Sequence, residues 1–387
     1  MPSLLPHRES EINEIASILV HALRGETPSN IFIYGKTGTG KTAVTNYVGE
    51  ELLKKGKEVG KHVNFVYINC EVVDTQYRLL QNIANHFINE WSERIPFTGW
   101  PTDEVYAKLR QMIDKTGGVT VIILDEVDKL KGDEALYNLS RINSNLKRAK
   151  VSIVGISNDL KFTEFLDPRV KSSLGEENLI FPPYDASELQ DILKQRVDIA
   201  LKPESIDEDV IPLCAALAAQ EHGDARRALD LLRMAAELTE RHKSTRITKD
   251  FVKLAQNKIE IDRVTEVVRT LPAQSKLIIL AILFQEKHDH KIKTSGAITT
   301  GEVYEIYKDL CKKTRTDVLT QRRVADLISE LDMLGIITAR VISKGRYGRT
   351  REIKLSSPVD EILNILKQDD IYQDLSNHRI RAQTRLL

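Results

Sequence analysis

The run IFIYGKTGTGKTAV, residues 31–44, restricts the fold of this chain more than any other stretch. Residues 35–42 fit G-x-x-x-x-G-K-[ST], and the motif stands between an apolar strand pattern and an amphipathic helical one. A chain built this way leaves a strand through a tight loop and enters a helix directly, the unit from which parallel sheets are made. Glycines let the loop wrap closely. The backbone N–H groups of Gly38, Thr39, Gly40, Lys41, Thr42 and Ala43, with the positive end of the helix, then converge on phosphate groups. In that geometry Lys41 reaches β- and γ-phosphates, and the Thr42 hydroxyl ligates Mg2+.

Further apolar runs at 65–69, 119–124, 151–157 and 178–181 read as buried strands separated by helical patterns. That alternation predicts an α/β domain with a parallel sheet covered on both faces. In VIILDEVDKL, Asp125 and Glu126 end one such strand, so both carboxylates emerge at the sheet's carboxyl edge beside the glycine loop. Asp125 suits outer-sphere Mg2+ binding, and Glu126 suits polarising a water in line with a γ-phosphate. Two acids opening a helix as favourable N-terminal charges is the competing explanation. Asn158 ends the next strand, where it can position the same water or simply form a turn.

After PPYD (182–185) the strands stop, and helical patterns follow at 187–201, 207–221, 225–243 and beyond 248. Pro272 and the polar stretch before it mark a hinge into a third part. There, helices are expected at 273–285, from about Thr300, and at 320–334 with Gly335 as a left-handed stop. Val324, Leu327, Ile328, Leu331 and Leu334 make the apolar face of the last. Two β runs joined around KGRYGR complete three helices and a hairpin, a winged helix. The expected organisation is an α/β base at 1–182, an all-α lid at 183–262 and a winged helix at 263–387.

Net charge is zero, from 56 basic and 56 acidic residues, but it is unevenly placed. Residues 265–387 carry +5 and the first 264 carry −5, so the C-terminal part is the polyanion-facing one. The hairpin RVISKGRYGRTREIK (340–354) holds six basic residues and one acidic one, with Lys344, Arg346, Tyr347 and Arg349 near its tip. A solvated turn would also account for them. Arg322 and Arg323 occupy the first turn of the third helix, where cations oppose the macrodipole by ~0.3–1 kcal/mol each unless phosphate docks there. From that turn, Gln321 or Arg322 reaches base edges while the wing lies on the DNA backbone or minor groove.

No apolar run approaches the roughly 18–20 residues needed to cross a bilayer. The start, MPSLLPHRESE, lacks a leader pattern. Cys70, Cys214 and Cys311 lie far apart with no CxxC pair, which argues against a disulfide framework or zinc site and for a reducing compartment. His288 and His290 could catch a metal, but no cysteine is near to complete a site.

Between the strand ending at Asn69 and the strand beginning at Val119 lie 49 residues, more than one crossover helix needs. The surplus, about 70–118, reads as a helix at 76–91, a turn, and a helix to about 112. Leu79, Leu80, Ile83, Phe87 and Trp91 are expected in the core. Phe97, Thr98 and Trp100, among turn formers at 97–101, are not.

Taken in order, these motifs resemble the archaeal replication-initiator family of AAA+ ATPases, related to the origin recognition complex large subunit and the cell-division-cycle helicase loader. PHRESE, with His7, Arg8 and Glu9, is similar to the family's adenine-side element, and Asn158 matches its first sensor. DPRVKSSL resembles the arginine-finger segment, with Arg169 as the finger. FPPYDASELQDILKQRV resembles the box closing on the base, through Tyr184 and Arg196, and HGDARRALDLL the second sensor, Arg226. The resemblance implies slow hydrolysis of ATP to ADP with Mg2+, and DNA contact by the insertion tip. It also implies binding to duplex origin DNA, recruitment or loading of the replicative helicase, and paralogous subunits or self-association on DNA. A cytoplasmic, nucleoid-associated protein without membrane contact is expected. Two other classes share parts of this pattern: a P-loop transcription regulator with a winged helix, and a clamp-loader-like protein whose winged helix binds protein.

Overall fold

The apolar runs form five parallel strands: β1 (Ile31–Tyr34), β2 (Val63–Asn69), β3 (Gly118–Asp125), β4 (Ala149–Ser157) and β5 (Glu177–Ile180). The computed structural model describes residues 5–164, 166–174, 177–292, 298–343, 349–356 and 359–368. Strand order is β2-β3-β4-β1-β5, so β1, which feeds the glycine loop, lies between β4 and β5, and β2 is an edge. Period-2 alternation sorts the side chains. Ile31, Ile33, Val121 and Ile123 pack under α1 (Glu9–Leu19) and α2 (Lys41–Glu58), through Ile15, Leu19, Val44 and Val48. Phe32, Val66, Ile122 and Leu124 face the other way. They meet α3 (Gln76–His86), α4 (Thr102–Thr116), α5 (Glu134–Ser140) and α6 (Pro168–Leu174). Each fully buried aliphatic side chain contributes about 1.5–3 kcal/mol, so both covers are needed.

Four helices follow: α7 (Ala186–Ala200), α8 (Val210–Glu221), α9 (Ala225–Arg241) and α10 (Lys249–Thr270). Asp185 opens α7 by accepting the backbone N–H groups of Ser187 and Glu188, while the Glu188 side chain accepts from Asp185 N. The chain forms two compact units, Met1–Val252 and Lys253–Leu387.

In the second unit, α11 (Ala273–Ile292) is buried on every side from Leu277 to Phe284, which makes it the central helix. Around it lie β6 (Ile298–Thr299), α12 (Thr300–Thr314), α13 (Gln321–Met333), β7 (Ile337–Ser343), β8 (Arg349–Leu355) and α14 (Val359–Leu366). The strands form an antiparallel sheet in the order β6-β8-β7. The cap of α12 is Thr299, in a box with Glu302, one residue before the expected hydroxyl. Gly335 turns the chain with φ 73°, as anticipated, but Leu334 is half exposed because Ile336 takes the core position beyond the turn. Lys344, Arg346 and Tyr347 lie outside the described residues, as do the side chains of Arg349, His288 and His290.

The insertion departs from expectation at one point. α3 ends at His86, and Trp91, expected in the core, is 81% exposed in a 3-10 turn. The reason is a set of polar side chains on α3. Asn85 exchanges two hydrogen bonds with the Ile95 backbone (2.8 and 3.0 Å), Gln81 Nε2 donates to Ile95 O (2.9 Å), and Tyr77 Oη to Pro96 O (2.9 Å). They hook the loop back onto the helix, so Ile95 is buried and Trp91 swings out. All three cysteines are free and buried, and burial pushes the Cys70 and Cys214 thiols up to about 12. Among the described residues no helix is long and apolar enough to cross a membrane.

Candidate functional site

The loop between β1 and α2 is shaped by close approach. Gly40, with φ 91°, caps α2, and a Cβ there would lie 2.8 Å from the Tyr184 hydroxyl. Gly38, at φ 74°, is covered by the Asp224 carboxylate so closely that no side chain fits. Only glycine meets both demands. Lys41 turns back into this loop, donating to Gly35 O (2.7 Å), Lys36 O (2.8 Å) and Asn158 Oδ1 (2.9 Å). Burial lowers its pKa to about 8 against the pull of Asp125, and the Arg226 charge pushes the same way as burial.

Thr42 Oγ1 donates to Asp125 Oδ2 at 2.8 Å, tying the first turn of α2 to the end of β3. Asp125 Oδ2 also accepts from Tyr67 Oη (2.7 Å), and Oδ1 accepts the Glu126 N–H (3.0 Å). Glu126 sits in the left-handed region, φ 53° and ψ 45°, unusual for a non-glycine residue and typical of strained functional positions. Burial, followed by the charges of Glu71 and Asp125, holds its carboxyl above the ordinary range. Asp128 Oδ1 accepts from Ser157 Oγ (2.8 Å) and Asn158 N (3.3 Å), which fixes the strand end carrying Asn158. The structure thus brings together two hydrogen-bonded pairs, Lys41 with Asn158 and Thr42 with Asp125, held side by side because Lys41 and Thr42 are neighbours in the first turn of α2, with Glu126 following Asp125.

Two elements close over the loop. Asp224 caps α9 by accepting from the backbone N–H groups of Arg226 and Arg227, while Ala225 N donates to Gly38 O (3.2 Å). The lid helix therefore starts on the loop, with exposed Arg226 in its first turn. From the N-terminal side comes Arg8, only 2% exposed. It donates to Thr39 O (3.0 Å), Pro182 O (2.6 Å) and Glu11 Oε1 (2.8 Å), and its guanidinium stacks 4.0 Å from the Tyr184 ring centroid. Next to it, His7 meets Asp191 of α7 at 3.1 Å.

Two expected residues stand apart from this set. Arg196, on α7, forms no hydrogen bond or ion pair among the described residues. Arg169 is bound in a fork by Asp167 (3.1 and 2.8 Å), whose carboxyl it lowers to about 2, beside a cavity of about 460 Å3 that Arg141 also lines. Sequence reasoning missed Tyr67, which reads as one more apolar strand residue, and Asp128 and Asp224, whose roles depend on chain reversals.

Candidate nucleic-acid-facing groups are exposed in each unit. At the insertion tip, Phe97 is 70% exposed, and Thr98 and Trp100 are also exposed. On α13, Gln321, Arg322 and Arg323 all face solvent, with Thr320 capping the helix and Arg323 3.5 Å from Glu330. Arg351, on β8, donates to Ala325 O (2.6 Å) and Ser329 Oγ (2.7 Å) and so fastens the hairpin to α13.

A parallel sheet with a glycine loop and paired acids, an α-helical lid and a winged helix define a AAA+ module of P-loop type. Comparison with known proteins agrees. Residues 23–161 match the AAA domain family, 190–257 the Cdc6 AAA+ ATPase-type lid domain, and 266–365 the CDC6 C-terminal winged helix domain. The ORC1-type DNA replication protein 1 of Methanosarcina acetivorans is 60% identical over 370 residues, 95% of this chain and 88% of that one. The ORC1-type DNA replication protein of Pyrococcus horikoshii is 56% identical over 389 residues, 100% of this chain and 92% of that one. Among solved structures, the Aeropyrum pernix ORC1 protein in complex with DNA superimposes with a TM-score of 0.78 at 46% identity, covering 97% of this chain and 95% of that one. The chain belongs to the family of ORC1-type DNA replication proteins.

Proposed function

We propose that this protein binds duplex DNA at replication origins under the control of ATP, which it hydrolyses slowly. The observation that carries the nucleotide half is the pair of hydrogen bonds Lys41–Asn158 (2.9 Å) and Thr42–Asp125 (2.8 Å), which tie the first turn of α2 to the carboxyl ends of β4 and β3. Lys41 gives its ammonium to the β- and γ-phosphates, the N–H groups of 38–43 cradle them, and Arg226 meets the γ-phosphate from the lid. Glu126 polarises the attacking water and Asn158 orients it. Tyr184 and Arg196 flank the base, and Arg8 holds the loop and lid entry together behind it.

Thr42 and Asp125 fit Mg2+. The Thr42 hydroxyl would ligate the ion, and Asp125 Oδ2, which accepts from that hydroxyl at 2.8 Å, would meet the ion's water shell from the outer sphere. Both are hard oxygen donors of the kind Mg2+ takes together with phosphates and water. When bound, the ion neutralises phosphate charge.

The DNA half is supported by Arg322 and Arg323 on the exposed first turn of α13, by the basic wing and by the exposed insertion tip. Phosphates at α13 relieve the macrodipole, and Gln321 or Arg322 reads base edges. Arg169 serves a neighbouring AAA+ subunit, either a paralogue or a second copy. Recruitment of the replicative helicase is supported by family membership.

The nucleotide assignments are tested with two variants. Lys41→Ala is expected to lose ATP binding, whereas Glu126→Gln retains ATP without hydrolysing it. Normal turnover by Glu126→Gln would remove the catalytic assignment.

A further inference from the structure

Asp125 is 6% exposed and is held by three donors rather than by an ion pair among the described residues. A buried carboxylate needs such partners, but the pattern is more specific than that need. Two hydroxyls, Thr42 Oγ1 at 2.8 Å and Tyr67 Oη at 2.7 Å, converge on one oxygen, Oδ2, while the other oxygen takes the Glu126 N–H. The terminal torsion of an aspartate is broad, so its carboxylate plane is set by what grips it. Thr42 is a poor sole anchor for Oδ2, because the same hydroxyl is the group offered to the cation.

Tyr67 stands on β2, the edge strand, with its side chain 40% exposed. The core is not what it fills. One pleat away Phe65 does that work, pressed against Gly49 of α2. A phenylalanine at 67 would satisfy the strand pattern as well, so the hydroxyl is the part with a distinct role. We infer that Tyr67 is a positioning residue for the Mg2+-facing carboxylate: its phenol fixes the rotation of Asp125, so that Oδ2 stays turned toward Thr42. This inference rests on the proposed nucleotide site.

The test is Tyr67→Phe in the full chain, using Mn2+ as the probe. Mn2+ affinity in the presence of ADP is read by electron paramagnetic resonance, and ADP affinity in chelator is read separately. Loss of an outer-shell partner should weaken Mn2+ binding by about 10-fold or more. ADP affinity without metal and the unfolding midpoint should not move. In ATPase assays the Mg2+ concentration for half-maximal rate should rise while kcat at saturating Mg2+ holds. Unchanged Mn2+ affinity in Tyr67→Phe overturns the role of Tyr67 alone. A wild type that binds ADP but no Mn2+ overturns the metal assignment of Thr42 and Asp125, and the role of Tyr67 with it.

Discussion

Arg8→Ala should be one of the most damaging single substitutions in the first unit, although Arg8 precedes the first helix. The side chain is 2% exposed and reaches partners 31 and 174 residues away, Thr39 O and Pro182 O, as well as Glu11. Removing it strands Glu11, itself only 13% exposed, beside two carbonyls that lose their donor. Breaking a buried pair by deleting one partner costs about 3–5 kcal/mol. For a unit of this size, each kcal/mol lowers Tm by roughly 2–4 °C, so a loss on the order of 10 °C is expected by calorimetry. Adding Glu11→Gln removes the uncompensated charge and should recover part of that loss. A midpoint for Arg8→Ala within about 2 °C of wild type would show that the clasp carries little stability.

Three further outcomes follow from the geometry. If Arg169 serves a neighbouring subunit, specific ATPase rate should rise with protein concentration or with a paralogue, and Arg169→Ala should abolish the rise; a rate independent of both leaves Arg169 structural. Replacing residues 97–101 with a glycine linker should shorten the DNA footprint on one side, and an unchanged footprint confines DNA recognition to the winged helix. Arg351→Ala should cost the second unit about 1.5–3 kcal/mol through its lost bonds to α13 and weaken duplex binding, with little change in the salt slope because no phosphate contact is removed. A slope flatter by about one unit would instead make Arg351 a phosphate contact.

What could be read from the sequence was what is local. The residues 35–42 carry their own context of strand, loop and helix, and Asp125 and Glu126 follow from where an apolar run stops. The winged helix was legible because α13 keeps its period and ends on a glycine. Roles that depend on distant partners were hidden. The sequence marks Arg8 as part of the adenine-side element, but its grip on Thr39, Pro182 and Glu11 exists only once the glycine loop and the segment after β5 fold back over it. Tyr67 matches its strand's apolar pattern, and only the pairing of β2 with β3 brings its hydroxyl to Asp125. Trp91 fits the helical period of α3, but Asn85 and Gln81 capture Ile95 and end that period early. The strained backbone of Glu126 has no sequence signature, since nothing in its neighbours forbids a right-handed conformation.

The central claim is that one polypeptide couples an ATP site to origin DNA. Footprinting the purified protein on genomic fragments, with ATP, with ADP and without nucleotide, tests it most directly. Discrete protection at a replication start, altered in extent by ATP and lost with Arg322→Ala, is the expected result. Protection confined to promoters, or uniform protection that ignores both sequence and nucleotide, would contradict it.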